Sequence, residues 1–583
     1  MIKKGKFYPD FRESPPLEGS YRSIFKWGDP EEYKHPNSKL YELMKEEFDL
    51  TDEDFRNPRR VGDEKVELHD RPVTLDSRHL KWFEKLLGRE WVSTGDYDRV
   101  RYSCGKTIEE AMELRRLEVA EITDCVLHPG DKEDVLRIVE YCDVHSIPLY
   151  VYGGGSSVNF GYRPVMGGVT LVTQTRMNRV IGFSEENRTC TVQAGILGPD
   201  YEAALNEAPE RFGARYRYTN GHFPQSFEYS TVGGWITTFG SGQQSTYYGD
   251  ACDLVVSQEY VTPVGVIKSR EFIAEANGPR INDIMKGSEG TFGILVECTM
   301  KIFRYTPQNQ FPFCYIFRSW EDGVNATREI SQGEYGLPGV LRLSDPEETH
   351  VGLKLYGVDG TVLDTLMTLR GFRPGERCLL LGRTEGERGF SRHVRRLSKK
   401  ICRRYGGMSL TGYPLKSWEH GRYRDPYLRE DLADYGMVID TLETSVRWDN
   451  IHQVREEVRK VVKARPKTIC MAHSSHFYPQ GTNLYFIYHT PVDDIREYVE
   501  LQTAVIDAIY RAGGSLSHHH GVGRMIGPWM EDYHGKEVME VLRTLKRHFD
   551  PRGILNPGGA MGLDYESDKL KNRNWRINWR KKV

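Results

Sequence analysis

The run Val151-Tyr-Gly-Gly-Gly-Ser-Ser-Val-Asn-Phe-Gly161 constrains this chain more than any other stretch. Before it, His128–Cys142 reads as a helix with an acidic first turn, with Val135, Ile138, Val139 and Cys142 at helical spacing on one apolar face. Ser146–Val151 then reads as a buried strand. A strand that empties into three glycines and two serines brings bare backbone N–H groups close to whatever lies beyond it. Glycine reaches φ > 0 and carries no Cβ to hold a ligand away, and successive amides form a concavity suited to an anion. By itself the run fits a plain tight turn equally well.

Two later stretches share its texture. Gly221–Gly242 is dominated by small and hydroxyl residues, among them Ser230, Thr231, Gly233, Gly234, Thr238 and Ser241. Such a run lets the backbone approach a flat ligand while hydroxyls serve its polar edge. Lys286-Gly-Ser-Glu-Gly-Thr-Phe-Gly-Ile-Leu-Val-Glu297 is a third glycine-rich turn entering an apolar strand. Between them, Leu254–Thr262 and Val264–Ser269 read as strands of period-two character. Three unrelated turns would also give this pattern, but one long ligand laid across one domain accounts for all of them.

Composition excludes several classes. A chain of 583 residues with net charge −3 gives no global reason to expect nucleic acid. Its ten cysteines show no C-x-x-C and no zinc spacing, as expected of reduced, idle thiols. Met1–Phe7 lacks the apolar core of a signal peptide, and no apolar stretch is long enough to span a bilayer, so the expected location is cytoplasmic. The tail Lys569–Val583 carries seven Lys/Arg and no acid, with Trp575 and Trp579 interleaved. It suits peripheral contact with an anionic membrane, though a solvated or core-docked tail fits the same composition. Residues 1–115 read as a charged, helical N-terminal extension, with helices over Ser38–Phe48 and Asp76–Leu87 and no chemistry to extract.

The glycine loop, Ser230-Thr-Val-Gly-Gly234 and Gly287-Ser-Glu-Gly-Thr-Phe-Gly293 resemble the FAD-binding domain of the vanillyl-alcohol-oxidase-type flavoproteins. Within that class the chain resembles the alkyldihydroxyacetonephosphate synthase family. The resemblance runs through Lys26-Trp-Gly, Asp96–Tyr102, Thr444–Asp449, Asn483–Tyr488, Gly513–Gly523 and Asp550–Asn556, and thins before residue 95 and over about 345–420. It implies an α+β fold. A two-subdomain FAD-binding domain (116–305) is followed by a sheet-and-helix cap (306–510) and a C-terminal active-site loop with helices and basic tail (511–583). It places FAD phosphate contacts on Gly153, Gly154, Gly155, Ser156 and Ser157. The remaining cofactor contacts fall on Gln225, Ser226, Ser230, Thr231, Gly233, Gly234, Thr238, Ser241, Glu289, Gly290, Thr291, Gly293 and Ile294. Neither His nor Cys follows the glycines where some relatives attach flavin, so non-covalent FAD is expected. One departure stands out: the family's Gly-His-Glu-Pro-Asp-Ser reads Gly221-His-Phe-Pro-Gln-Ser226, which removes two acids near the cofactor.

His518, His519 and His520 lie between glycine-rich flanks that imply a tight, placed loop. Adjacent imidazoles supply bases near neutral pH and donors for an anion, although a bare histidine run is also a common surface patch. The resemblance makes them the family's active-site histidines. It also matches Tyr485 to a proton-transferring tyrosine, Arg342 to an arginine needed for activity and Arg429 to the arginine that binds substrate phosphate. A guanidinium fork suits phosphate, while a structural ion pair is the alternative for Arg429 in its crowded Arg/Asp stretch. A tyrosine near its ordinary pKa of about 10 is a poor base without cationic or imidazole neighbours.

The implied activity is exchange of the acyl chain of acyl-dihydroxyacetone phosphate for a long-chain fatty alcohol, an ether-lipid transferase reaction that is redox-neutral overall. A homodimer and a hydrophobic tunnel for the alkyl chains are implied with it. The alternative is an FAD-linked oxidase or dehydrogenase of a hydroxy acid or alcohol. Those relatives carry a Gly-His…Asn-Leu-His metal pair where this chain has His476 and Asn483-Leu-Tyr485. The tyrosine in place of the second ligand argues against a metal at His473 or His476, and no metal is expected.

Overall fold

The computed structural model describes residues 8–564 apart from Asp10 and Asp493. The basic tail Lys569–Val583, a candidate for membrane contact, lies outside the described residues. No helix among the described residues is long and apolar enough to cross a membrane. Both helices expected in the N-terminal segment form, over Ser38–Phe48 and Ser77–Leu87, each with a side-chain N-cap, Asn37 and Asp76.

The glycine run ends a parallel unit. Asp131 caps the helix Lys132–His145 by accepting from the amides of Glu133 and Asp134, and Val135, Ile138, Val139 and Cys142 are its buried face. The strand Leu149–Tyr152 follows and pairs in parallel with Val169–Val172, which pairs in parallel with Cys125–Leu127; Val92–Ser93 adds an antiparallel edge. At the open edge the Leu149 amide donates to Ile554 O, so the C-terminal segment closes the sheet.

A second, antiparallel sheet has the order Val180–Ser184, Thr189–Gln193, Ile294–Lys301, Val255–Thr262, Gly265–Lys268. The expected alternation of Val255–Thr262 does not appear: all eight of its residues are buried. Val261 packs with Ile138 and Val139 of the helix before the glycine loop, while Val255 and Tyr260 pack with Trp235 and Ile236 on the other side. A strand covered on both faces has no solvent side to be polar on.

An eight-stranded antiparallel sheet forms the third layer. Its order is Met408–Leu410, Phe311–Phe317, Cys378–Thr384, Val340–Ser344, Ile469–Ser474, Gly481–Pro491, Met437–Arg447, with Phe477–Tyr478 paired to Gly481–Pro491. Side chains alternate along Gly481–Pro491. Leu484, Phe486 and Tyr488 are fully buried against the core, and Tyr485 and Ile487 face the other way, half-buried. The register sets Glu443 opposite Tyr485, Tyr485 opposite His473, and His473 opposite Ser344. Directly opposed residues share a face, so four strands offer one row of polar side chains on the face away from the core.

Candidate functional site: a glycine cradle under a polar sheet face

One cavity lies between the glycine turns and the polar face of the large sheet. The cradle is shaped by what a side chain would strike. A Cβ on Gly154 would stand 2.1 Å from Tyr229 O, and one on Gly233 would stand 2.7 Å from Ala194 O. Gly155 has φ +77°, where only glycine is unstrained. Among the described residues, the amides of Gly154 to Ser157 make no hydrogen bond to a protein acceptor. Thr231 caps the short helix Val232–Thr237 and Ser230 accepts from the Trp235 indole at 2.7 Å, which fixes both hydroxyls on the wall. Unpaired amides, bare backbone and fixed hydroxyls along one groove fit a dinucleotide: pyrophosphate on the amides, a flat ring further along.

Every cofactor residue expected from the sequence lies on this wall except Thr291. Its hydroxyl donates to Ser288 O at 2.6 Å and is spent on closing its own turn. Gln225 is on the wall, but its amide is turned onto Arg422 O and accepts from Gln243. Gln225 thus puts an amide bridge where the resemblance has one of the two acids, and Phe223 stands in place of the other.

Tyr485, His519, His520, Arg342 and Arg429 all line the same cavity, whereas His518 does not. The loop that bears the histidines is clamped by two buried carboxylates. Glu443 accepts from Ser517 Oγ at 2.7 Å and from the amides of His518, His519 and His520 at 2.7, 3.1 and 3.0 Å. Burial opposes its ionisation, but the neighbouring imidazoles of His520 and His518 and these hydrogen bonds hold its carboxyl below the usual range. Glu289 accepts from the amides of Val522 and Gly523 at 2.6 and 2.7 Å, and burial pushes its carboxyl up to about 7. The Asn159 amide donates to His520 O at 2.9 Å.

Within this frame Tyr485 donates to Thr441 Oγ1 at 3.1 Å, and its ring lies 5.0, 5.9 and 5.4 Å from those of His473, His519 and His520. Burial pushes its phenol up to about 12, so it is a held proton at neutral pH. Burial first, then neighbouring imidazoles, takes His519 well below its ordinary pKa; burial also lowers His520 against the pull of Glu443. These rings are bare bases.

Arg342 is anchored by Glu348 at 2.6 Å, which also holds His473 at 3.1 Å. The charges of Arg342 and His473 overcome burial and keep the Glu348 carboxyl down at about 2. Arg429 donates to Lys106 O at 2.9 Å, and its charge favours ionisation of the Glu430 carboxyl, although burial outweighs it and raises that group. Burial lowers the Lys106 ammonium to about 8. The nitrogens of His476, His518 and His519 come within 4.8 Å of one another. Both nitrogens of His518 already face protein partners, Tyr478 and His519, so no metal is assigned there.

Sequence reasoning misses Glu443, Lys106 and Trp27. Trp27 brings the N-terminal segment, which offers no chemistry as bare sequence, onto the cavity wall. Glu443 carries one faint signal, the one charged residue between Asp440 and Arg447 of its strand.

The cradle, the two-sheet base and the covering third sheet define an FAD-binding flavoprotein of the vanillyl-alcohol-oxidase fold. Residues 123–269 match the family described as "FAD binding domain" and residues 307–560 match "FAD linked oxidases, C-terminal domain". The chain is 32% identical over 478 residues to alkyldihydroxyacetonephosphate synthase of Dictyostelium discoideum, covering 79% of this chain and 76% of that protein. It is 31% identical to the uncharacterized FAD-linked oxidoreductase YgcU of Escherichia coli K12, covering 75% and 88%. A solved alkyldihydroxyacetonephosphate synthase structure superposes with a TM-score of 0.78 at 27% identity, covering 92% of this chain and 99% of that one. The chain belongs to the alkyldihydroxyacetonephosphate synthase family of FAD-dependent enzymes.

Proposed function

We propose that the protein exchanges the acyl chain of acyl-dihydroxyacetone phosphate for a long-chain alcohol, giving an alkyl ether and a free fatty acid. The observation that carries this reading is the convergence of Tyr485, His519, His520, Arg342 and Arg429 on the cavity that also contains the glycine cradle. Bound without a covalent link, FAD supplies an electrophilic ring against which a phosphorylated ketone is held.

The chain's own residues do the rest. Arg429, with one nitrogen tied to Lys106 O and no carboxylate hydrogen-bonded to its fork among the described residues, can take a phosphate. Arg342, locked by Glu348, adds a fixed positive charge on the same cavity wall. Deprotonated His519 and His520 accept protons as the ketone carbon is activated and the alcohol enters, and Tyr485 returns one. Trp27, Trp418, Ile439 and Ile487 give the wall an apolar side suited to an alkyl chain and to excluding water. The homodimer and the peripheral membrane contact expected from the sequence belong to this reading as well.

The test is direct. Purified flavin-loaded protein is incubated with acyl-dihydroxyacetone phosphate and labelled hexadecanol, and label in the ether product is measured. Equal amounts of labelled ether and fatty acid are expected. Fatty acid without ether, or neither, contradicts the transferase.

A further inference from the structure

His518 is the histidine that turns away from the cavity, and what it turns toward is ordered. Its Nε2 lies 2.8 Å from the Tyr478 hydroxyl, and Tyr478 donates to Asp250 Oδ2 at 2.7 Å. Its Nδ1 lies 2.9 Å from Nδ1 of His519, whose ring is on the cavity wall. Asp250 also accepts from the Ser241 hydroxyl. Asp250 and Tyr478 are only half-buried, and Tyr478 lines a second, outward-opening cleft with Gln480, Gly481, Ser515 and Tyr533. A continuous line of hydrogen bonds therefore runs from His519 on the cavity wall through His518 to Tyr478 on the cleft, and ends at half-buried Asp250.

The protons in this line are set by its far end. An ionised carboxylate accepts only, so the Tyr478 O–H points at Asp250 and its oxygen is left to accept Nε2–H of His518. Nδ1 of His518 is then bare and accepts Nδ1–H of His519, which leaves Nε2 of His519 as a lone pair. The other groups around the pair do not compete. Glu443 stands 3.6 Å from His519 Nδ1 and is saturated by Ser517 and the loop amides. His476, 5.2 Å from His518 and 5.0 Å from His519 by ring centres, is kept neutral by burial, its pKa lowered to about 3. His520 is lowered by burial and Tyr485 keeps its proton.

The exchange proposed above turns an ester and an alcohol into an ether and a carboxylate, so one proton must leave the cavity per turnover at neutral pH. We propose that His519, His518, Tyr478 and Asp250 form a relay that carries this proton from the cavity to the cleft beside Tyr478. Nε2 of His519 takes the alcohol proton while Nδ1–H passes to His518. His518 gives Nε2–H to the Tyr478 oxygen as that hydroxyl gives its own proton to Asp250, and Asp250 loses it to water. Each group gains one proton as it gives one, and no oxidant or reductant is involved. His519 is the catalytic member; His518, Tyr478 and Asp250 act through it.

This inference rests on the transferase reading, and the experiment separates the two. Flavin-loaded wild type, Tyr478→Phe, Asp250→Asn and His519→Gln are compared for ether formation in dilute buffer, with and without added imidazole as a diffusible proton carrier. Tyr478→Phe and Asp250→Asn are expected to retain FAD and an unchanged KM, and to lose about tenfold in kcat, the low end of what proton transfer contributes. That loss is expected to recover as imidazole is added, which a merely structural defect would not do. His519→Gln is expected to stay inactive with imidazole or without it. A working wild type whose Tyr478→Phe variant is unimpaired, or impaired but not rescued, overturns the relay alone, whether or not Asp250→Asn folds. A wild type that forms no ether overturns the function and the relay with it.

Discussion

At the scale of single residues, the site works by spending charge on geometry. Glu348 is the sharpest case: one carboxylate oxygen holds both Arg342 and His473. Its folded pKa of about 2 lies below the unfolded value of 4.5. The stabilisation is therefore complete above pH 4.5 and is lost as pH falls toward 2, amounting to about 3 kcal/mol. Thermal melts of wild type and Glu348→Gln are expected to differ widely at pH 6 and to converge toward pH 3. A gap that does not change with pH would show that the carboxylate is not held this way. Glu289 runs the opposite way. Its raised pKa means that the protonated form is favoured on folding, so its contribution is complete below pH 4.5 and fades as pH rises through about 7.

At the scale of elements, the glycine loop carries the most exact requirement, because the obstacle to a side chain there is backbone. Gly154→Ala would place Cβ 2.1 Å from Tyr229 O. FAD retention is expected to weaken at least about tenfold, or about 1.4 kcal/mol, read as flavin-to-protein ratio after gel filtration; an unchanged ratio would remove the loop from the cofactor site. These turns are legible in the sequence because glycines and hydroxyls serve a strand or helix interior poorly, so a cluster of them marks backbone kept bare for a close approach. The helix Lys132–His145 is legible from its apolar face and acidic start. The burial of Val255–Thr262 is not, since whether a strand is covered on one face or two depends on elements far off in the chain. Glu443, Lys106 and Trp27 are hidden for a related reason. Each is an ordinary residue locally and becomes functional only when register or packing sets it against Tyr485, Arg429 or the cavity. Thr291 shows the reverse: inside a motif whose place on the cavity is legible, one hydroxyl faces inward to tie its own turn.

At the scale of the whole molecule, distant parts of the chain share one cavity. The parallel unit supplies the cradle, the large sheet supplies Tyr485 and Arg342, the C-terminal loop supplies the imidazoles, and the N-terminal segment supplies Trp27. The segments are also pinned to each other by buried polar links such as Arg22 to Asp434 at 2.7 Å and Arg524 to Phe160 O at 2.9 Å. That arrangement suits a reaction in which the ring and the bases must close on one substrate with water kept out, and the proton leaves by its own path. The central claim is that the bound flavin serves exchange rather than net oxidation. The most direct measurement is the visible spectrum of the flavin-loaded protein, followed anaerobically through many turnovers with acyl-dihydroxyacetone phosphate and hexadecanol while fatty acid is counted. Fatty acid well in excess of enzyme, with the oxidised flavin spectrum present again at the end, is the predicted result. Lasting bleaching of the flavin by a hydroxy acid or alcohol, with no fatty acid released, would contradict it.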